Sequence, residues 1–294
     1  MGNDISRSSL LLTLLICFTL FAHGQTGASF QDERAKEDYS FLKDSTQLTW
    51  QDAIKFIRLD EEGNSYLSFG ASLRTRFEHF TNNSWLADNN QNYYSQRITF
   101  HTDVHLGKHV RFFGELQHGY KSDGVSFLQT DDIDLHQGFI ELKTSSSNPF
   151  SFRFGRQEMK LGVGRLIDLR VGPNVRRAFD MAKISFDHEN VKIGAFYGNE
   201  VQIDFGAFDN DFNFFEQLTT NPKVWSINAK ILTSKSTIIG RSIDVYYLGF
   251  QSTTAAFSDV VGEETRHSMG IRSYGKIGTR FQYNTELIYQ FGDI

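Results

Sequence analysis

Residues 93–106 read YYSQRITFHTDVHL. Tyr94, Ile98, Phe100, Val104 and Leu106 alternate there with Arg97, Thr99, His101, Asp103 and His105. A period of two makes a β-strand with one apolar and one polar face. The pattern recurs on both sides. Over residues 66–79, Leu67, Phe69, Ala71, Leu73 and Phe77 alternate with Tyr66, Ser68, Gly70, Ser72, Arg74, Arg76 and Glu78. Over residues 110–121, Val110, Phe112 and Leu116 oppose Arg111, Glu115, Gln117 and Lys121. Phe150, Phe152 and Phe154 oppose Ser151 and Arg153, and Phe281, Tyr283, Leu287 and Tyr289 oppose Arg280, Gln282, Asn284 and Glu286. Weaker alternations lie near residues 135–143, 179–187, 190–198, 224–234, 242–252 and 265–275. The count comes to about eleven strands, many longer than the five or six residues usual in soluble sheets.

Short turns at Gly107-Lys108-His109, Ser145–Pro149, Asp187–Asn190 and Lys276–Gly278 alternate in part with long connections. The long ones are Asn82–Asn92, Ser122–Asp134, Lys160–Ala178 and Gly206–Pro222. That alternation suits a barrel with tight periplasmic turns and long outer loops. A soluble sandwich or lectin-like domain could also turn a polar face to water. Two further observations favour the barrel. Phe, Tyr and Trp make up 14% of the 294 residues, with 28 Phe, and lipid is a dry place to put them. Leu10–Phe21 is an apolar run ending in Ala22-His23-Gly24, too short to span a bilayer and shaped like a cleaved export signal over residues 1–24. Its removal takes away Cys17, the one cysteine, so disulfides and thiolate chemistry are excluded from the mature chain.

Residues 25–64 read as a polar leader with one short helix over Thr49–Leu59. Thr49 is placed to cap it, with Asp52 at the capping-box position and Trp50, Ile54 and Ile57 on one face. The barrel is expected over residues 65–294. Lys and Arg number 30 against 35 Asp and Glu, a net charge of −5, which gives no basic surface for nucleic acid. Single-chain bacterial barrels carry an even number of strands. The odd count therefore gives the expectation that this is the N-terminal part of a larger barrel, incomplete at its C-terminus.

One segment concentrates positive charge. Residues 153–180 read RFGRQEMKLGVGRLIDLRVGPNVRRAFD, with Arg153, Arg156, Arg165, Arg170, Arg176 and Arg177 against Glu158, Asp168 and Asp180. Guanidiniums folded into a lumen would form a surface for carboxylates, because Arg offers planar bidentate donors and keeps its charge. A solvated loop is the alternative. Gly162-Val163-Gly164 is not a phosphate loop, since no Gly-Lys-Ser/Thr follows it. The His101/Asp103/His105 face reads as lumen wall rather than a metal site. No nucleophile context for hydrolysis is found, and no cofactor is expected.

The chain resembles the alginate export family of outer-membrane barrels. The resemblance rests on Trp50–Lys55, on Tyr66–Gly70 leading to Arg74 and Arg76, and on Asp134-Leu135-His136-Gln137-Gly138-Phe139. It rests further on Gly155-Arg156-Gln157-Glu158, Gly172-Pro173-Asn174-Val175-Arg176 with Phe179-Asp180, and Glu264–Gly270. It implies an 18-stranded barrel with an Arg-lined, acid-bracketed pore for a polyuronate. This chain departs by ending short of that strand count and by Met181, where the pattern calls for glycine after Phe-Asp. The expected pore-lining set is Arg74, Arg76, Arg97, Arg111, Arg153, Arg156, Glu158, Arg165, Arg170, Asn174, Arg176 and Asp180. The expected function is an outer-membrane channel for an anionic polysaccharide or oligosaccharide, without enzymatic activity, touching outer-membrane lipid and a periplasmic partner at the leader. The rivals are a general or phosphate-selective porin and a secreted or barrel-type polysaccharide-active enzyme.

Overall fold

The computed structural model describes residues 30–46, 48–124, 126–144, 149–214, 222–235, 239–258 and 260–293. The expected signal segment, with Cys17, lies outside the described residues. Twelve antiparallel strands follow one another in sequence order in one sheet. They are β1 (Ile57–Arg58), β2 (Tyr66–Phe80), β3 (Gln91–Leu106), β4 (Val110–Lys121), β5 (Asp131–Lys143) and β6 (Phe150–Gln157). Then come β7 (Phe179–His188), β8 (Val191–Glu200), β9 (Lys223–Lys235), β10 (Ile239–Phe257), β11 (Val260–Ile277) and β12 (Phe281–Asp293). Eleven of these answer to the alternating segments, and the two-residue β1 is too short to show a period. Among the described residues β12 pairs only with β11, and the sheet is not closed. No described helix is long and apolar enough to cross a membrane.

The alternation sorts the side chains onto two faces. One carries exposed apolar groups, such as Leu73, Phe77, Ile98, Phe152, Ile184, Ile227, Met269 and Leu287. Aromatic contacts gather at both ends of this outer face. At the long-loop end are Phe77–Tyr94–Tyr120, Phe154–Phe214–Tyr197 and the rings of Trp225, Tyr247 and Phe291 around His267. At the short-turn end Phe150 meets Phe186, which stacks on His188. Such girdles mark the two interfaces of a membrane barrel.

The inner face is covered by two segments. The first is the leader, with 3-10 turns at Arg34–Lys36 and Ser40–Asp44 and helix α1 (Trp50–Lys55). Ala35 packs on Phe113 and Phe139, while Tyr39, Leu42, Phe56 and Tyr66 form a small core at the short-turn end. Thr49 caps α1 with the full capping box to Asp52, as its spacing indicates. The helix is shorter than the expected Thr49–Leu59: it ends at Lys55, and Ile57 falls in β1. Trp50, Ile54 and Ile57 are exposed, whereas Asp52, Lys55 and Phe56 are buried. The second segment is the connection 158–178 between β6 and β7.

Candidate lumen constriction

The 158–178 connection lies across the inner face because its apolar residues have a matching surface there. Met159, Leu161 and Ile167 pack with Phe179, Met181, Phe196, Val224, Tyr246 and Leu248 from β7 to β10. Met181, the departure from the family pattern, is fully buried in this cluster. Room for it comes from the neighbouring strand: a Cβ at residue 198 would collide with the Cβ of Met181, and Gly198 has none.

The tip of the connection is held on the opposite side of the lumen. Arg74 donates to the carbonyls of Val171 and Pro173, both at 2.7 Å, and to Asn174 Oδ1 at 2.9 Å. Arg97 donates to the same two carbonyls at 3.3 and 3.2 Å, and Arg76 to Gly172 O at 3.3 Å. Asn174 Nδ2 donates to Tyr120 O and Gln129 O, and Val175 N to Leu128 O. The Gly-Pro-Asn-Val-Arg run thus turns its carbonyls to three inward arginines of β2 and β3.

The remaining inward arginines are paired. Arg176 grips Glu158 with Nε at 2.6 Å and Nη2 at 2.9 Å, and donates to Asp32 O in the leader at 2.6 Å. Glu158 Oε1 lies 2.8 Å from His136 Nε2. Arg111 bonds both oxygens of Asp103 and reaches Glu141 at 3.4 Å, while Arg153 meets Glu141 at 3.0 Å. Arg170 and Arg177 share Glu200 at 3.2 and 2.8 Å. Arg165 pairs with Glu286 at 3.2 Å, yet its side chain is 66% exposed. Outside the strands, burial pulls the Lys55 ammonium and the Arg170 guanidinium down from their ordinary values. Burial pushes the Glu37 carboxyl up, but hydrogen bonds from Arg34, Tyr39 and Gln31 outweigh it and hold Glu37 below the usual range.

Arg156 and Asp180 form a pair of their own, apart from this set. They are cross-strand neighbours bonded at 2.8 and 3.1 Å. By alternation they share the face of Phe154 and Tyr197, opposite the one crossed by 158–178. Residues 208–214 cover them there: Arg156 donates to the carbonyls of Asn210 and Asp211, and Asn213 N to Asp180. Phe212 and Phe214 lie edge-on against Phe154.

The geometry up to here is that of a membrane-barrel wall with an inward loop. The sequence profile of one family, described as alginate export, matches residues 65–294. The chain belongs to the alginate export family. Together with the long antiparallel strands and the two aromatic girdles, membership makes it an outer-membrane channel protein. Among solved structures it is similar to OccK8 (OprE) of Pseudomonas aeruginosa, at 11% identity and a TM-score of 0.41, over 78% of this chain and 68% of that one. No curated protein sequence matches it.

Some lumen groups of this family member escaped sequence reading. His136 and Gln137 are adjacent and both buried inward, because a bulge in the β4–β5 pairing interrupts the alternation between them and Leu135. Glu115, His136 and Glu158 bring ligand atoms within 4.8 Å of one another, but Arg176 holds both oxygens of Glu158, and the group is an ion-pair network. Between the leader, the start of 158–178 and β7–β9 lies a cavity of about 380 Å³, lined by Lys36, Lys160, Lys183, Lys192 and Lys230 beside Glu33, Glu158 and Asp187. Lys183 makes no hydrogen bond or ion pair among the described residues, and Lys230 sits over the Tyr274 ring. The signal for Lys183 and Lys230 was their alternation with Ile184 and Ile231.

Proposed function

We propose that this channel passes an anionic sugar polymer or oligomer, a polyuronate of the alginate kind, along the inner face beside the 158–178 connection. The observation that carries the reading is the lysine-lined cavity at that connection, with the exposed Arg165 nearby, in a chain of net charge −5. Lys183 and the exposed Arg165 lower the cost of stripping water from a carboxylate, while Lys36, Lys160 and Lys192 pair with Glu33, Asp168 and Asp187. Interleaved Glu33, Asp187 and Glu286 keep each stop shallow, as conduction requires. In this reading Arg74, Arg76, Arg97 and Asn174 fix the loop, and Arg111, Arg153, Arg176 and Glu158 form a paired wall. Arg165, Arg170 and the lysines meet the substrate, and the Arg156–Asp180 pair anchors the fold. Residues 1–24 are removed on export, residues 25–64 form the leader, and the exposed Trp50 and Ile54 offer a periplasmic partner its contact.

The test is a planar-bilayer recording of the reconstituted protein at low salt. Arg165→Gln with Lys183→Gln should shift the reversal potential toward cations and weaken block by oligouronates, the effect fading as salt screens it. An unchanged reversal potential would refute the assigned path. Block by phosphate in place of oligouronate would favour a phosphate-selective porin, and new reducing ends released from polymer would favour an enzyme.

A further inference from the structure

Away from the lumen cations, three carboxylates converge at the long-loop end. Asp131 opens β5, Asp134 follows it, and Asp209 comes from the connection after β8. One ligand oxygen from each lies within 4.8 Å of the others. We propose that Asp131, Asp134 and Asp209 hold one hard divalent cation, Ca²⁺ by its chemistry, which fastens the 201–214 segment to β5.

Repulsion among three close carboxylates favours an opposite charge, and among the described residues the cations beside them are engaged elsewhere. Asp132, between them in sequence, pairs with His118 at 3.4 Å. The nearby Arg156 is taken up by Asp180 and by the carbonyls of Leu135, Asn210 and Asp211. The three themselves form no ion pair among the described residues. Asp134 accepts from the backbone N–H groups of Asp209 and Asn210, and Asp131 Oδ2 from Asn210 Nδ2. These bonds place the carboxylates but do not neutralise them.

A second observation points to an occupant. Asp131 is 2% exposed, and its Oδ1 has no hydrogen-bond partner. Gln117, equally buried, leaves Oε1 without one. Both residues line one small cavity with Asp134, His136, Asn210 and Arg156, whose guanidinium is held by Asp180 and backbone carbonyls. Buried oxygens without donors are costly unless something fills the gap. An all-oxygen, carboxylate-rich donor set suits Ca²⁺, which accepts about six to eight oxygens at about 2.3–2.6 Å in flexible geometry, better than Mg²⁺, which demands near-ideal octahedral geometry and keeps its waters. Asp209 is exposed, which leaves an entry path from solvent. The cation would lock down the segment that roofs the Arg156–Asp180 pair.

The test uses the full chain in detergent, stripped with EDTA and titrated with CaCl₂ by calorimetry, with heat-modifiable migration on gels as the check of folding. One Ca²⁺ should bind per chain with a dissociation constant of about 0.1–1 mM, the range of extracellular modules. Asp131→Asn and Asp209→Asn should each weaken it by about tenfold or more. Ca²⁺ should also slow proteolysis within residues 201–214 in the unaltered chain and not in the variants. Absence of binding by a folded chain, or binding that both variants leave unchanged, overturns the proposal. So would an Asp131→Asn chain that becomes more heat-resistant while the unaltered chain ignores Ca²⁺, because the carboxyl would then carry a proton.

Discussion

At the level of single residues, the charges of this lumen act first as structure. Arg176 and Glu158 are 5% and 3% exposed, and each is the other's main compensation. Removing one partner of such a pair strands a buried charge, at a cost of about 3–5 kcal/mol. Glu158→Gln and Arg176→Gln should therefore each lower the unfolding temperature of the barrel, read from heat-modifiable migration. The double substitution should cost clearly less than the sum, because it strands neither charge. Additive losses would mean that Arg176 is held mainly by the Asp32 carbonyl and the leader. Arg74 and Arg97 differ in kind: their acceptors are backbone carbonyls and, for Arg74, the Asn174 amide oxygen, so they fix the loop without losing their charge to a carboxylate.

The 158–178 connection is the element in which sequence and structure diverge most usefully. Its apolar residues face the sheet and its tip hangs on arginines of β2 and β3, so it is tied at both sides of the lumen. Asn174 is the knot at the tip, donating to two carbonyls and accepting from Arg74. Asn174→Ala would leave Tyr120 O and Gln129 O without these donors, a loss of about 1–3 kcal/mol. Single-channel conductance should rise or flicker as the tip detaches; a quiet trace of unchanged size would show that the three arginines suffice. The strands were legible because a lipid face and a water face differ at every second residue. Bulges were not legible, since a slipped register leaves composition untouched. So His136 was missed. Arg153 and Arg156, three positions apart on β6, were expected on one face, which a regular strand forbids. Arg156 instead lies with Phe154 under a loop that no alternation reports.

At the scale of the molecule, inside and outside are exchanged relative to a soluble fold, and a pair of neighbours can test that. Ile227 and Asn228 are adjacent on β9, away from the sheet edges and at one depth, cross-strand from Tyr247 and Tyr246 of β10. Ile227 is 57% exposed on the outer face. Asn228 borders the lysine-lined cavity. In a soluble protein an exposed isoleucine tolerates replacement by arginine better than a partly buried asparagine does. In a barrel the order reverses. Arginine on the lipid face near mid-depth costs about 2–4 kcal/mol, whereas a lumen position accepts charge. At residue 228 the new guanidinium would join the lysines of the cavity beside Glu33, Glu158 and Asp187, a repulsion that those acids offset and lumen water screens. Ile227→Arg should therefore unfold at markedly lower denaturant in lipid vesicles than Asn228→Arg, with Asn228→Arg close to the unaltered chain. The opposite order would place the apolar face in water, and the membrane assignment of both faces would fall with it.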